Sequence, residues 1–238
     1  YTEFERILAA KELALFKKYI QKRIEGFSAA AIIGKKEFMG LTLKVNEQVL
    51  IPRPDTETWL EKVIQYYRNE TGLKVADLGT GSGAILVGFL YYCRDAVGVG
   101  IDISAKALKI AEENGQNLKI TDRVEWRQGD YLKAFDEEDI FDGIFSNPPY
   151  IPTKDIGGLP GEVKPEPRLA LDGGTDGLYF YHLLAKGAAE HLKPGGFLAV
   201  EFGIGQATDI LEMFQKSAQY EDFEVIKDYG GIERALYC

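Results

Sequence analysis

Apolar residues in the first 25 positions (Phe4, Ile7, Leu8, Leu13, Leu15, Phe16, Tyr19, Ile20, Ile24) recur mostly three or four apart among charges. That spacing gathers them on one stripe, so the leader is expected to form one or two amphipathic helices. Residues 38–50 alternate in part (Leu41, Leu43, Val45, then Val49 and Leu50) around a turn-like Asn46, which predicts a β-hairpin. The next stretch, Ile51-Pro-Arg-Pro-Asp-Thr-Glu57, cannot be a regular strand because its prolines lack ladder N–H groups. Pro54 suits the first turn of a helix, and 55–68 carries a helical pattern.

Beyond Gly72 short apolar runs alternate with amphipathic stretches, the mark of a parallel sheet covered by helices. Strands are expected at 74–78, 96–101, 124–128, 142–146 and 196–202, and helices at 83–93, 104–118, 178–192 and 206–219. The last two apolar segments, 223–228 and 233–237, flank Gly230-Gly231 and should close the sheet as an antiparallel hairpin. Residues 151–177 hold Pro152, Pro160, Pro165 and Pro167 without a periodic pattern. A loop of that length directly after a strand end is a candidate lid. No internal repeat is present.

Composition is that of a globular protein: 238 residues, 45% hydrophobic and 27% charged, enough for one substantial core. No apolar run approaches the roughly 20 residues of a membrane-spanning helix. The mixed-charge start lacks the apolar stretch of a secretory signal, and a chain opening at Tyr1 instead of Met reads as trimmed. Cys93 and Cys238 form no metal or redox motif, which suits reduced thiols in a cytoplasm. His182 and His191 do not stand with cysteines or carboxylates at ligand spacing, so no metal site is expected. The net charge of −9 is uneven, at +4 through Arg53 and −13 thereafter. An acidic body resists phosphate backbones, so stable nucleic-acid binding is not expected, and the basic leader is the one electrostatic foothold for RNA or a large partner. The alternative account of that leader is a solvated amphipathic helix, which a mixed charge run more often is.

Four constellations carry chemistry. Ala76-Asp-Leu-Gly-Thr-Gly-Ser-Gly-Ala84 runs from strand to helix, with Gly79, Thr80, Gly81, Ser82 and Gly83 as its turn. Alternate glycines let the backbone approach a ligand that the helix N-terminus also faces, although the spacing is GxGxG and not the dinucleotide GxGxxG. Asp102 ends the next apolar strand, where a carboxylate meets ribose hydroxyls; alone it could equally cap a helix. Gly129-Asp130-Tyr131 follows the third strand. Asp130 could accept from an adenine amino group and Tyr131 cover its ring, or the three could be an ordinary loop. Ser146-Asn147-Pro148-Pro149-Tyr150 follows the fourth strand. Two prolines fix the backbone and leave carbonyls free, so with the Asn147 side-chain oxygen a planar NH₂ group meets two acceptors. Tyr150 supplies an aromatic face.

The order Asp77-Leu-Gly-Thr-Gly-Ser-Gly, Asp102, Asn147-Pro-Pro-Tyr resembles class I S-adenosylmethionine-dependent methyltransferases acting on exocyclic or amide nitrogen. Three further stretches narrow the resemblance to the HemK/PrmC family, the glutamine methyltransferases of peptide chain release factors. These are Leu50-Ile-Pro-Arg-Pro-Asp-Thr-Glu57, Glu166-Pro with Ala170-Leu and Gly173-Gly-Thr-Asp-Gly-Leu178, and Glu201-Phe-Gly-Ile-Gly-Gln206. The resemblance runs from about Gly26 to the C-terminus. The family's leader is usually longer, and Ser28-Ala-Ala-Ala31 stands where it conventionally has Pro and Tyr.

The resemblance implies a Rossmann-like α/β fold, a mixed seven-stranded sheet with an antiparallel last strand. Residues 53–238 would be the catalytic domain, and residues 1–52 a truncated docking segment with a hairpin linker. It implies methyl transfer from S-adenosylmethionine, with S-adenosylhomocysteine as product, to the glutamine of Gly-Gly-Gln in a release factor, by a cytoplasmic monomer that binds no membrane. Residues 79–83 would border the methionine portion, Asp102 the ribose and Tyr131 the adenine, while Asp77 supports the loop and reaches the methionine amine through water. Asn147 and the Pro148 carbonyl would accept the two amide protons, with Pro149 and Tyr150 completing the substrate and catalytic site. Arg53 and Glu57 would contact substrate or hold the linker; Glu201 and Gln206 acquire no role. A DNA or RNA adenine methyltransferase and an inactive nucleotide-binding module remain the alternatives.

Overall fold

The computed structural model describes residues 6–238. In chain order come helices α1 (Ala10–Ile24) and α2 (Ala29–Ile33), strands β1 (Lys35–Phe38) and β2 (Leu41–Lys44), and helix α3 (Pro54–Tyr67). The α/β unit follows as β3 (Lys74–Leu78), α4 (Ala84–Tyr92), β4 (Val97–Asp102), α5 (Ala105–Asn117), β5 (Val124–Gln128) and β6 (Phe141–Ser146). It continues with α6 (Tyr179–Gly187), β7 (Leu192–Glu201), α7 (Ala207–Ser217), β8 (Glu224–Lys227) and β9 (Glu233–Tyr237). Seven strands form one sheet in the order β5-β4-β3-β6-β7-β9-β8. Pairing is parallel from β5 to β7, and β9 runs antiparallel between β7 and β8. The sequence pattern predicts this mixed sheet with its antiparallel last strand.

Both faces of the sheet are buried, which is why its strands read as continuous apolar runs. Val75, Phe145 and Phe197 point to one face with Trp59, Leu60 and Phe89; their neighbours Ala76, Ile144 and Leu198 point to the other with Tyr181 and Phe214. α3 starts at Pro54, with Asp55 and Glu57 in its first turn complementing the helix dipole, and buries Thr56, Trp59, Leu60, Val63 and Ile64 along one stripe. Each large side chain so buried contributes about 1.5–3 kcal/mol.

The hairpin lies earlier than the alternation over 38–50 suggests. β1 pairs with β2 through Phe38↔Leu41, and the turn is Met39-Gly40, with φ of +52° and +71°. Asn46 instead closes a local turn beyond β2, accepting from the Gln48 N–H at 2.8 Å. Phe38, Leu41 and Leu43 pack into the core beside Trp59 and Phe89. The leader is helical over Ala10–Ile24 as expected, while residues 2–5 of that pattern lie outside the described residues. A short second helix, capped by Ser28, occupies the Ser28-Ala-Ala-Ala31 stretch. α1 buries none of its residues, and Leu13, Phe16 and Ile20 are exposed. Among the described residues no helix is long and apolar enough to cross a membrane.

Residues 151–177 are pinned back on the strand end they leave. Ile151 bridges Asp172, the Gly173 N–H donates to the Ile151 carbonyl at 2.9 Å, and short 3₁₀ turns occupy Thr153–Gly158 and Arg168–Ala170.

Candidate active site

After β3 the chain lays down β4 and β5 on one side, then returns to place β6 on the other. Strand order reverses there, and in open α/β sheets the crevice beyond the carboxyl ends at such a point is where ligands bind. The ends of β3, β4 and β6 bring together Asp77, Asp102 and Asn147.

The turn after β3 passes through Gly79, Gly81 and Gly83 with φ of +74°, +57° and +79°, a region that a Cβ disfavours. At Gly83 a Cβ would also sit 3.0 Å from the Trp126 ring and 3.1 Å from the Ala111 side chain. The Gly79 and Thr80 N–H groups donate to the Ile101 carbonyl at 2.9 Å, and Thr80 Oγ1 donates to Asp77 Oδ2 at 2.6 Å. Ser82 is buried, and its carbonyl accepts from Asn114 Nδ2 at 2.9 Å. Thr80, Ser82 and Gly83 thus shape the turn from within, while Gly79 and Gly81 face a cavity. Burial pushes the Asp77 carboxyl up to about 7 against the Thr80 hydrogen bond, and its Oδ1 has no hydrogen-bond partner among the described residues.

Asp102 is oriented by two backbone groups, Gly81 N–H on Oδ2 at 2.9 Å and Ser104 N–H on Oδ1 at 2.8 Å. It is not the cap of α5, because Ser104 takes that place by accepting from Ala107 N–H. Each carboxylate oxygen can accept once more, enough for two vicinal hydroxyls. Burial raises this carboxyl, and the two backbone bonds oppose the shift. Tyr131, at a φ of +54°, is buried beneath the turn. Its ring lies against Gly79 and packs on Phe180 at 4.6 Å between centroids. Ser146 Oγ donates to the Leu78 carbonyl at 2.8 Å and so accepts from the Tyr131 hydroxyl at 3.1 Å. Burial pushes that phenol well above its ordinary range. Asp130 reaches the cavity rim and pairs with Lys133.

Asn147 and Pro149 complete the wall of this cavity of about 470 Å³, which Val49 and Leu50 border on one side and Pro167, Leu169 and Ala170 of the 151–177 segment on another. Asn147 Oδ1 is buried without a partner among the described residues. Tyr150 is half-buried with its ring against Gly203, and burial pushes its phenol up to about 12. Among the described residues no group of three or more His, Cys, Asp or Glu side chains could hold a metal ion.

A methyltransferase-domain family model matches residues 69–220, which include the whole parallel part of the sheet. The release factor glutamine methyltransferase of Moorella thermoacetica is 41% identical over 98% of this chain and 82% of its own length. That of Bradyrhizobium diazoefficiens is 42% identical over 97% and 78%. The chain belongs to the release factor glutamine methyltransferase family. A methyltransferase from Pyrococcus furiosus has the same fold, with a TM-score of 0.59 at 19% identity, covering 96% of this chain and 98% of its own. The fold is therefore that of class I methyltransferases.

Glu201 and Gln206, which acquire no role from the sequence, hold the site of this family member together, with Glu57, Arg53 and Asn114 beside them. Glu201, at the end of β7, is buried, and its Oε2 accepts from Thr56 Oγ1 at 2.6 Å and Trp59 Nε1 at 2.8 Å. Burial raises its carboxyl, while the hydrogen bonds from Thr56 and Trp59 act the other way. Gln206 accepts from the Gly203 N–H and donates to the Tyr150 carbonyl, joining the loop after β7 to the loop after β6. Glu57 accepts from the Met39 N–H and so holds the hairpin turn. Arg53 pairs with the buried Glu166 at 2.6 Å, tying the proline-rich linker to the 151–177 segment. Asn114 bridges Lys44 and Ser82, joining hairpin to glycine turn. The available signal was a lone charge or amide inside an apolar run, as with Glu201 in Phe197-Leu-Ala-Val-Glu-Phe202.

Proposed function

We propose that this protein transfers a methyl group from S-adenosylmethionine to the side-chain amide nitrogen of the glutamine in the Gly-Gly-Gln motif of peptide chain release factors. The observation that carries this reading is Asn147, its Oδ1 buried and unpartnered among the described residues, on the wall of the same cavity that holds Gly79, Gly81 and Asp102. The cavity lies within the roughly 300–1,000 Å³ range of ligand pockets, and its polar groups fit S-adenosylmethionine. Gly79 to Gly83 would border the methionine portion, with Thr80, Ser82 and Gly83 acting through the turn they hold. Asp102 would accept from the ribose hydroxyls, and Tyr131, which borders the cavity beside Gly79, would stand beside the adenine.

When bound, the sulfonium supplies an activated methyl group, so the residues have only to bind and aim the acceptor. An amide lone pair is delocalised into its carbonyl and must be directed. Asn147 Oδ1 and the Pro148 carbonyl would each accept one amide proton, fixing the plane of the NH₂ group. Both acceptors favour the positive charge that develops on nitrogen as the new bond forms, a stabilisation greater in the transition state than in the ground state. Pro149 and Tyr150 would pack against the amide and its neighbours. The acidic body, at −13 beyond Arg53, weighs against a nucleic-acid acceptor. Residues 53–238 would be the catalytic domain and residues 1–52 the docking segment, in a cytoplasmic monomer that suits the unpaired Cys93 and Cys238.

The test is transfer of labelled methyl from S-adenosylmethionine to a release factor, to the same factor with Gln of Gly-Gly-Gln replaced by Ala, and to duplex DNA. Label on the first alone, lost with Asn147→Ala, is the expected result. Label on DNA, or transfer indifferent to the glutamine, would overturn the reading.

A further inference from the structure

Pro148 and Pro149 have no N–H to donate, so the turn after β6 cannot be anchored through them and its place must be set from outside. Asn147 and Pro149 both line the cavity, so whatever sets that turn sets this wall as well. The chain that reaches it is the far end of the 151–177 segment. The Ile151 N–H donates to the Leu171 carbonyl at 3.0 Å, and the Gly173 N–H donates back to the Ile151 carbonyl. Gly173 is held on its other side too, where its carbonyl accepts from the Tyr179 N–H at 3.2 Å as α6 begins. Asp172 Oδ1 collects Thr153 Oγ1 at 2.6 Å and the Gly174 N–H at 3.2 Å, which closes the clamp around Gly173.

These bonds press Gly173 against the turn. A Cβ on Gly173 would lie 2.7 Å from the Pro149 carbonyl oxygen, 2.8 Å from Tyr150 Cα and 2.9 Å from the Tyr150 carbonyl carbon, where ordinary contact begins at 3.4 Å. All three neighbours are backbone, which has no rotamer with which to yield. Gly173 does not adopt a left-handed φ, so its missing side chain answers a need for space alone. Gly177 closes on the same turn, since a Cβ there would meet the Tyr150 carbonyl oxygen that accepts from Gln206 Nε2. Gly157, in the same segment, has open space where its Cβ would stand.

We propose that Gly173 is a positioning residue: by letting two backbones touch, it fixes the 147–150 turn at the place where the acceptor amide is met. This rests on the functional reading above, and it makes the 151–177 segment, a candidate lid by its length, a fixed buttress of the acceptor site. Gln206 serves the same end by holding the Tyr150 carbonyl. A methyl group at 173 cannot be taken up by the segment without breaking its bonds to Ile151 and Tyr179, so the turn gives way by several tenths of an ångström. A misplacement of about 1 Å in a group that aims a reactant costs on the order of 10²-fold in rate. Gly79, Gly81 and Asp102 stand on the ends of β3 and β4, outside the displaced turn, and keep their places.

Methyl transfer to a release factor is measured for wild type, G173A, Q206A and G157A, with S-adenosylmethionine affinity measured by calorimetry. G173A is expected to lower kcat about tenfold or more while cofactor affinity changes by less than about threefold. Q206A, which frees the Tyr150 carbonyl without adding an atom, should lower kcat by less and again spare the cofactor. G157A should match wild type. Wild-type kcat in G173A would overturn the proposal, and so would a loss of cofactor affinity equal to the loss in kcat, because the whole cavity would then have moved. G157A as impaired as G173A would assign the effect to the segment at large and overturn it too. Should G173A fail to fold, Q206A decides: the expected fall in kcat supports the proposal, and wild-type kcat overturns it. Wild type that binds S-adenosylmethionine but places no label on the glutamine would overturn the functional reading, and this assignment with it.

Discussion

Gln206 Nε2 donates to the Tyr150 carbonyl at 3.1 Å while Gln206 Oε1 accepts from the Gly203 N–H at 2.8 Å, so one side chain ties the ends of β6 and β7 together. The same Nε2 lies 3.4 Å from the Gly177 carbonyl, where the 151–177 segment ends. Gln206→Glu keeps the acceptor for Gly203 but aims an oxygen at two carbonyls. It is expected to cost about 1–3 kcal/mol of stability, because buried acceptors lose their donor. Gln206→Ala should cost less. Thermal unfolding of the two variants checks the order; equal stability would remove Gln206 from the brace.

Asp102 is held by Gly81 and Ser104 with both oxygens able to accept again. Asp102→Ala should raise the dissociation constant for S-adenosylmethionine roughly ten- to hundredfold, the worth of about 1.5–3 kcal/mol for a charge-assisted hydrogen bond. Calorimetry on wild type and variant decides it, and unchanged affinity would place the ribose elsewhere.

Asp77 makes stability depend on pH in an unusual direction. Its carboxyl titrates near 7 in the folded chain against an ordinary 3.8, so between those values the folded state keeps a proton that the unfolded state has released. Wild type should therefore lose stability relative to Asp77→Asn as pH rises from about 4 to about 7, with no further change above, a total on the order of a few kcal/mol. Denaturant unfolding of both proteins across that window measures the difference. A difference that is flat, or that shrinks with pH, would contradict the assignment.

The Arg53–Glu166 pair joins the linker before α3 to the 151–177 segment, and its two ends are unequally buried: the Glu166 side chain is 6% exposed and that of Arg53 33%. Removing Arg53 strands a carboxylate with one oxygen already lacking a partner among the described residues. Arg53→Ala is expected to loosen the segment, with faster cleavage between residues 154 and 165 under limited proteolysis and little change in the rest of the core. Cleavage at the wild-type rate would show that the bridge and 3₁₀ turns suffice to hold it.

The chemistry-bearing turns were legible because each is local. Gly79, Gly81 and Gly83 announce a backbone that must bend, Asp102 and Asn147 each end an apolar run, and seven such runs count out the sheet. The hairpin begins earlier than its alternation suggests because its turn, Met39-Gly40, puts a methionine at positive φ, a residue that carries no turn signal, whereas Asn46 does.

Periodic burial and turn chemistry act within a few residues, so the chain's own pattern specifies the strands, the ends at which chemistry sits and the family those ends resemble. Which residues stand beside each other follows from the folded arrangement instead. Thr56 reaches Glu201 across 145 positions, Arg53 reaches Glu166 across 113, and Gln206 reaches Tyr150 across 56. Strand order and register set those distances. β6 and β7 are neighbours in parallel register, and that sets Asn147 and Glu201 at adjacent strand ends.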